Sequence, residues 1–364
     1  MIKNRVTILD GLRVIAILMV MLFHYYFRFL ETHYTYNFRV PTIFSYGYLG
    51  VELFFIISGF VITLTLTKTA TFAEFIKKRF IRLIPAMLIC ASITFLFVTL
   101  FDDLNLFAGS KSIQNLLISF TFISPALLNN LFATNLAYTD GAYWSLWVEI
   151  TFYIIAGLLF FLSKKNLQRN FSILVFLGIV GFYLFISETG KNILEPILGD
   201  YIYIWFRDFF RIFTFFEYGL WFLIGMVLKN LNDDKTNRQL LLYFIILFIV
   251  QSLLIYNFYT IIFSVIVFII LIFFIYKPEF ISFLGGKIIS KIGVASYSIY
   301  LIHQNIGVLL INKLSYLFGA SNWVLTLLII IFLSLFGVYS YKYLELPFGK
   351  KLKTIFFKKQ LSWK

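Results

Sequence analysis

The chain has little of what a soluble protein uses to fold and stay in solution. Charged residues make up 13% of its 364 residues, and only 17 of them are aspartate or glutamate. Hydrophobic residues make up 61%, more than the interior of a soluble domain of this length can bury. The single cysteine, Cys90, excludes an intrachain disulfide, and the sequence contains no cluster of metal ligands. The composition therefore predicts an all-α, polytopic transmembrane helical bundle that needs no metal.

Hydrophobic runs of about twenty residues, the length that crosses a bilayer as a helix, predict about ten spans. The apolar stretch 113–128 is shorter and is broken by Pro125, so we expect a re-entrant or interfacial piece there. The first run follows Lys3 and Arg5 but lacks a small-residue cleavage site, which favours a retained span over a removed signal peptide. The predicted spans are 8–30, 47–67, 80–101, 143–162, 171–187, 209–228, 239–256, 258–276, 293–312 and 323–343.

The positive charges support this division into spans. If the N-terminus is cytoplasmic, 23 of the 31 lysines and arginines lie on cytoplasmic segments, as the positive-inside rule requires. We therefore expect both termini in the cytoplasm, with a membrane domain over residues 1–348 and a basic cytoplasmic tail over residues 349–364. The net charge of +14 then reflects topology and contact with membrane lipids, and we expect no nucleic-acid partner.

Ionisable side chains inside the predicted spans are candidates for chemistry, because each costs about 2.5–3.5 kcal/mol on insertion scales and usually faces a polar cavity. At about 1.5 Å per residue, His24 and Glu149 both fall in the outer half of the membrane, with Glu52 near the same level. A carboxylate that orients an imidazole makes it a general base, which is the role we expect for His24. The alternative for His24 is a hydrogen bond that serves packing. The alternative for Glu149 is an ion pair with Arg207 or Arg211.

Arg79 and Arg82 form an R-x-x-R pair at the cytoplasmic end of the third predicted span. Their planar guanidinium groups suit bidentate contacts to phosphate. The alternative is an anchor in which both side chains extend to lipid phosphates. Arg13 lies toward the same face in the first span, where the alternative is an ion pair with Asp10.

Six short motifs occur in order along nearly the whole chain. They are Leu9–Ala16 (LDGLRVIA) followed by His24 in the same helix, Gly50–Phe60 (GVELFFIISGF), Phe75–Pro85 (FIKKRFIRLIP), Tyr143–Tyr153 (YWSLWVEITFY), Ser296–His303 (SYSIYLIH) and Leu344–Pro347 (LELP). Each motif is modest alone, but six in sequence order are specific. Together they resemble the acyltransferase family 3 of integral membrane acyltransferases, which move acyl groups onto cell-surface saccharides. The chain departs from that pattern at Glu52, where aspartate is more usual.

The resemblance implies a role for each matching residue. The proposed catalytic histidine of the family corresponds to His24, and its motif glutamate corresponds to Glu149. The arginine pair associated with the acyl-CoA donor corresponds to Arg79 and Arg82, and an opening arginine needed for activity corresponds to Arg13. The residues that we expect to line the passage or bind the acceptor are Asp10, Glu52, Ser58, Ser145, Trp147, Tyr297, Tyr300 and His303.

The function that the resemblance implies is O-acylation in a bacterial inner (cytoplasmic) membrane. We expect transfer of an acyl group, above all acetyl, from cytoplasmic acetyl-CoA to a hydroxyl of an extracytoplasmic saccharide or glycolipid, such as an O-antigen, a capsule or another cell-envelope glycan. Direct attack on the thioester and a ping-pong route through an acyl-histidine both stay open, as do the length of the acyl group and the acceptor hydroxyl. Some relatives carry an extracytoplasmic esterase-like domain, and we expect this chain to act without one.

Two other classes of protein share some of these features. A secondary transporter has basic inner loops and intramembrane carboxylates, but it should show related halves or matching interrupted helices, and the sequence shows no such symmetry. A membrane scaffold or lipid-binding protein needs no histidine and glutamate at matched depth. Loss of uptake with acylation intact would favour transport, and substitutions of His24 or Glu149 without effect would favour a scaffold.

Overall fold

The computed structural model describes residues 2–254, 257–317 and 323–357, and these residues are almost entirely helical. Within those ranges no β-strand forms beyond one isolated bridge between Leu30 and Tyr34, which confirms the all-α prediction. The helices are α1 Ile2–Phe23, α2 Leu49–Leu66, α3 Phe72–Phe101, α4 Ile113–Thr121, α5 Pro125–Phe132, α6 Trp144–Leu162, α7 Leu167–Ile186, α8 Glu188–Leu198, α9 Asp200–Ile212, α10 Phe215–Asp233, α11 Arg238–Leu254, α12 Phe258–Tyr276, α13 Lys287–Val294, α14 Ser296–Leu317, α15 Trp323–Ser340 and α16 Leu346–Phe357.

The lengths of these helices agree with a multi-pass membrane protein. In the described ranges, seven helices are long and apolar enough to cross a bilayer, or up to ten if each bent pair counts as one span. The bent pairs are α4–α5 at 111°, α9–α10 at 44° and α13–α14 at 66°. The first of them coincides with the stretch predicted to be re-entrant, and the predicted span 239–256 corresponds to the shorter helix α11 of 17 residues.

Helix α3 begins eight residues before the span predicted at 80–101. The cause is a capping box: the hydroxyl of Thr71 accepts the Glu74 backbone N–H at 3.2 Å, and the Glu74 carboxylate accepts the Ala70 backbone N–H at 3.0 Å. These bonds satisfy backbone groups that a helix start leaves without partners. Arg79 and Arg82 consequently lie inside the helix, about two and three turns from its first residue, and do not open it.

By internal contacts the described chain divides into two compact units. The first contains residues 1–53, 77–144 and 272–364. In this unit α1 packs against the 3₁₀ segment Pro278–Gly285, α13 and α14. Glycine allows the close approach, because a Cβ on Gly11 would lie 2.3 Å from the Leu284 carbonyl oxygen and one on Gly293 would lie 2.0 Å from the Asp10 carbonyl oxygen.

The second unit contains residues 54–76 and 145–271. Its centre is α10, in which the side chains from Gly219 to Lys229 are all buried, and which packs on α7 and α11. Phe222 of this helix stacks on Phe55 of α2 and on Phe152 of α6, with ring centroids 4.6 and 4.2 Å apart. Helices α2, α6 and α10 therefore meet around one aromatic ring.

Candidate functional site

Two histidines that are 279 positions apart in sequence meet in the first unit. Nδ1 of His24 and Nε2 of His303 are 3.2 Å apart, and the ring planes cross at 77° with centroids 4.8 Å apart. His303 lies on α14 and is completely buried, whereas His24 stays partly accessible. Of the two residues, His24 is therefore the one that is not fully enclosed by the protein.

His24 opens a short π-helical segment, His24–Arg28, that directly follows α1. Such segments are rare and are often found at functional sites. The His24 ring is also surrounded by aromatic groups, with the ring centroid of Phe23 at 5.2 Å and that of Phe29 at 6.1 Å. The Gln304 side chain interacts with the same ring. The imidazole thus occupies an apolar setting with few polar neighbours.

Tyrosines hold the backbone around His303. The buried hydroxyl of Tyr25 donates to the His303 carbonyl oxygen at 2.7 Å, and the hydroxyl of Tyr143 donates to the Leu301 carbonyl oxygen at 2.8 Å. Tyr300, which the sequence assigned to the passage, donates its hydroxyl to the Ala142 carbonyl oxygen at 2.7 Å. In this structure Tyr300 ties α14 to the segment that precedes α6.

Asp140 is a buried acid that the sequence reasoning missed. Its carboxylate accepts the backbone N–H of Ala142 at 2.9 Å and that of Asn305 at 3.0 Å. It lies just before the sixth helix, outside the candidate spans. Burial raises the pKa of Asp140 to about 7, although the two N–H donors act in the opposite direction. The signal in the sequence was an acid three residues before the first residue of the fourth motif, in a turn where an aspartate can cap.

The side chain of Asn305 extends this network away from the histidines. Its amide donates to the Ser110 hydroxyl at 2.8 Å and to the Thr139 carbonyl oxygen at 3.1 Å. Ser119 of α4 accepts the backbone N–H of Thr139 at 2.9 Å. These groups are buried, where an unpaired polar group is costly, and their hydrogen bonds connect α14 through Thr139 to α4.

Glu149 lies in the second unit. Among the described residues, its hydrogen bonds come from hydroxyl groups: Ser58 donates to Oε1 at 2.8 Å and Tyr153 donates to the same atom at 2.6 Å. Arg207, one of the two arginines suggested as its partner, bonds to Asp208 instead, at 3.1 Å. The sequence therefore named Glu149 and Ser58 but missed Tyr153, which is in the same motif. That Glu149 orients His24 stays a prediction.

The candidates that the sequence predicts toward the cytoplasmic face all lie in the first unit. Arg13 bonds to Asp10 at 2.6 Å, which is the ion pair given as the alternative interpretation of Arg13, and Ser290 donates its hydroxyl to the second oxygen of Asp10 at 3.2 Å. The charge of Arg82 also acts on the Asp10 carboxylate. Arg82 is exposed and Arg79 is partly buried, so at least one guanidinium of the pair is open to a ligand.

The other predicted residues differ in their surroundings. Glu52 and Ser145 are buried, and Tyr297 is partly buried. The indole N–H of Trp147 donates to the Ile212 carbonyl oxygen at 2.9 Å, which fastens α6 to the end of α9 in the second unit. In the part of the chain that the structure describes, no group of three histidine, cysteine, aspartate or glutamate side chains could hold a metal ion.

The last motif supplies a further buried acid. Glu345 lies in the second π-helical segment, Tyr341–Glu345, and its Oε1 accepts the hydroxyls of Ser298 and Ser340 at 2.6 and 2.8 Å. These bonds connect the chain after α15 to the first turn of α14. Because α14 also contains His303, the fifth and sixth motifs support the same helix.

A comparison with protein families covers nearly the whole chain. The model of the acyltransferase domain of acyltransferase family 3 matches residues 6–343. The chain belongs to this family. The match ends within the second π-helical segment, so α16 lies beyond it.

Several curated proteins of related sequence are named as O-acetyltransferases. The chain is 29% identical to "O-acetyltransferase OatA" of Staphylococcus aureus over 379 aligned positions, which cover 94% of this chain and 57% of that protein. It is 29% identical to the "O-acetyl transferase" of Shigella phage Sf6 over 189 positions, covering 50% of this chain and 53% of the phage protein. It is also 29% identical to "Putative peptidoglycan O-acetyltransferase YrhL" of Bacillus subtilis over 193 positions, covering 46% and 26%.

The chain thus spans about half the length of the curated relatives that it matches. No solved structure matches it.

Proposed function

We propose that this protein is a membrane-bound O-acyltransferase that moves an acetyl group from acetyl-CoA to a hydroxyl of an extracytoplasmic saccharide in the cell envelope. Family membership supports acyl transfer, and the names of the relatives support acetyl as the group and oxygen as its acceptor. We further propose a bacterial cytoplasmic membrane as the location, with both termini in the cytoplasm and a membrane domain up to residue 348. The donor then comes from the cytoplasm, and the acceptor from the other face.

The observation on which the proposal mainly rests is the contact between His24, a partly exposed residue, and the buried His303. As a general base, His24 takes the proton of the acceptor hydroxyl while that oxygen attacks the thioester carbonyl carbon. The tetrahedral intermediate then expels the sulfur of coenzyme A, which takes the proton from His24. The ester bond forms, the thioester bond breaks, and His24 returns to its starting state. An acyl-histidine formed first is the competing route, and it predicts ping-pong kinetics.

The donor is proposed to bind at the cytoplasmic end of α3. Arg79 and Arg82 hold the phosphates of acetyl-CoA, since their planar groups make bidentate bonds to phosphate oxygens. The exposure of Arg82 supports this assignment. Arg13, paired with Asp10 at 2.6 Å, completes the basic group.

The acceptor is proposed to bind among hydroxyl-bearing residues. Glu149, with Ser58 and Tyr153 on its carboxylate, forms a polar group that suits contact with sugar hydroxyls. We propose that Ser145 of the second unit and Tyr297 of the first unit each contact a substrate. Glu149→Gln is expected to abolish transfer in the same way as loss of His24, with the protein still folded in the membrane.

The test uses the bacterium that produces the protein, with the gene deleted and then restored as wild type or as a variant. The measured quantities are the O-acetyl signal of the surface glycans by NMR and the transfer of radiolabelled acetyl from acetyl-CoA in inside-out vesicles. We expect His24→Ala to lose at least about 100-fold in rate, the lower range for a general base.

His33→Ala is the matched control. His33 lies outside the candidate spans and its Nδ1 bonds to the Thr32 hydroxyl at 2.9 Å, so its loss should leave the rate unchanged. Near-normal transfer by His24→Ala would contradict the mechanism. Unchanged glycan acetylation after deletion of the gene would contradict the proposed function.

A further inference from the structure

We propose that His303 is a positioning residue: it fixes the proton of His24 on Nδ1, leaves the Nε2 lone pair as the reacting atom, and stabilises the cation that His24 becomes during the reaction. This inference rests on the proposed function, in which His24 is the base. It differs from the expectation that Glu149 orients His24, and it adds a role for the histidine of the fifth motif. The tautomers follow from the ring atoms that face groups able only to accept hydrogen bonds. The Gln304 side chain, which also interacts with the His24 ring, carries both a donor and an acceptor and fits either tautomer.

A carbonyl oxygen of its own helix determines which ring nitrogen of His303 carries the proton. Nδ1 of His303 lies 2.6 Å from the Tyr300 carbonyl oxygen, and a carbonyl oxygen only accepts hydrogen bonds. Nδ1 therefore carries the proton. A neutral imidazole has one N–H, so Nε2 of His303 carries a lone pair and can only accept.

The proton of His24 is assigned twice, by independent contacts. Its Nδ1 lies 2.8 Å from the Val20 carbonyl oxygen and 3.2 Å from Nε2 of His303, and both are acceptors. Nδ1 of His24 therefore carries the proton and shares it between them. Nε2 of His24 is left with the lone pair, which makes it the atom that takes the proton of the acceptor hydroxyl or, on the competing route, attacks the thioester.

The same bonds stabilise the charged state. When Nε2 of His24 takes a proton from the acceptor hydroxyl, the ring becomes a cation and its Nδ1–H still points at Val20 and His303. Hydrogen bonds from a charged donor are roughly twice as strong as neutral ones, and they matter most in an apolar setting. His303 neither gains nor loses a proton in this step, because the proton passes from the hydroxyl to His24 and then to the sulfur of coenzyme A.

The contacts around His303 hold both its backbone and its ring in place. Its carbonyl oxygen accepts from the buried Tyr25 hydroxyl at 2.7 Å. Gly307 makes room for that tyrosine, since a Cβ there would lie 2.1 Å from the Tyr25 hydroxyl oxygen. The ring itself is fully buried. A side chain fixed on both its backbone and its ring is suited to orient a neighbour.

The test compares two substitutions of equal length. His303→Gln presents an amide oxygen near the position of Nε2, and His303→Met fills the same space with only the weak acceptor of a thioether. We expect kcat to fall about 10- to 100-fold in His303→Met, the range for losing a hydrogen bond to a charged group, with KM for acetyl-CoA within about two-fold of wild type. His303→Gln should recover most of that loss. Equal losses in both variants, or a change confined to KM, would overturn the proposal.

A second measurement reads the tautomer directly and needs no activity. The chain has three histidines, so a protein labelled with ¹⁵N-histidine gives few ring signals, which His24→Ala and His33→Ala assign by their absence. In wild type in lipid bilayers we expect both His24 and His303 to be protonated on Nδ1. A His24 ring protonated on Nε2 would overturn the proposal even if the variants failed to fold.

The proposed role of His24 and the proposed role of His303 can be refuted separately. Activity in His24→Ala would refute the proposed role of His24 and with it this inference. Loss of activity in His24→Ala combined with normal kcat in His303→Met would refute the role of His303 alone.

Discussion

The contact between α2 and α10 gives a prediction whose size follows from the geometry. Gly59 and Gly225 face each other's helices: a Cβ on Gly59 would lie 2.2 Å from the Phe222 carbonyl oxygen, and one on Gly225 would lie 2.0 Å from the Ile56 carbonyl oxygen. Membrane helices use small residues to bring backbones this close, because they associate by packing and not by the hydrophobic effect. We therefore expect Gly225→Ala to destabilise the protein.

Ordinary contact begins at 3.4 Å, so the new methyl group would be about 1.4 Å too close to a backbone atom. A backbone carbonyl cannot rotate away as a side chain can, and the helices must separate. A radial gap of 0.5–1 Å already loses a quarter to a half of the dispersion energy between facing atoms, and overpacking typically costs about 1–3 kcal/mol. Against this, alanine is favoured over glycine inside a helix by about 1 kcal/mol.

The control is Gly219→Ala in the same helix. A Cβ there would meet side-chain atoms and no backbone atom: the methyl groups of Val175 from 3.1 Å and the ring of Phe215 at 3.6 Å, and these side chains can shift. Both substitutions gain the same helix propensity, so it cancels in their difference. We expect Gly225→Ala to be less stable than Gly219→Ala by about 1–3 kcal/mol in free energy of unfolding.

The measurement is reversible unfolding of both variants in mixed micelles, together with the melting temperature by size-exclusion fluorescence. Acetyl transfer should fall in Gly225→Ala as well, because Ser58 is adjacent to Gly59 and bonds to Glu149 at 2.8 Å. Equal stability of the two variants would refute the claim that backbone contact limits this interface.

Two further predictions concern the donor site and the buried acid. Arg82→Lys should weaken acetyl-CoA binding, since a lysine cannot make the bidentate phosphate bond. The control is Arg169→Lys, at an exposed position of α7. Unchanged affinity of Arg82→Lys for acetyl-CoA in nanodiscs would make Arg82 a topology anchor. Burial raises the pKa of Asp140 from 3.8 to about 7. As the pH rises from 4 to about 7, the unfolded state releases the Asp140 proton before the folded state does. The contribution of protonated Asp140 to the free energy of unfolding is therefore full below pH 4 and is lost over this range. Asp140→Asn should therefore flatten the fall of melting temperature between pH 4 and 7, and an unchanged slope would show that another group causes it.

Several features of the fold could be read from the sequence because their causes are local. The hydrophobic runs predicted the membrane helices, since a segment in lipid must satisfy its own backbone hydrogen bonds. The ion pair of Asp10 and Arg13 is three positions apart on one helix, where such side chains are neighbours. The Thr71–Glu74 capping box was equally local, and its motif was available in the sequence although the predicted span began later.

The pairings within the candidate site depended on tertiary structure. His24 and His303 were both named as candidates from the sequence, yet no pattern paired residues 279 positions apart. Likewise, no sequence pattern paired Asp140 with Asn305 or Glu149 with Ser58.

The physical reason lies in the solvent of a membrane protein. In water an amphipathic stripe marks the buried face of a helix, but lipid is as apolar as the protein interior, so hydropathy places a span along the chain without fixing its rotation. Rotation is decided by packing, above all where Gly11, Gly59, Gly225, Gly293 and Gly307 allow close approach. The sequence by itself thus determined which segments cross the membrane and which side chains are unusual there, and only the packing of the helices decided which of those side chains meet.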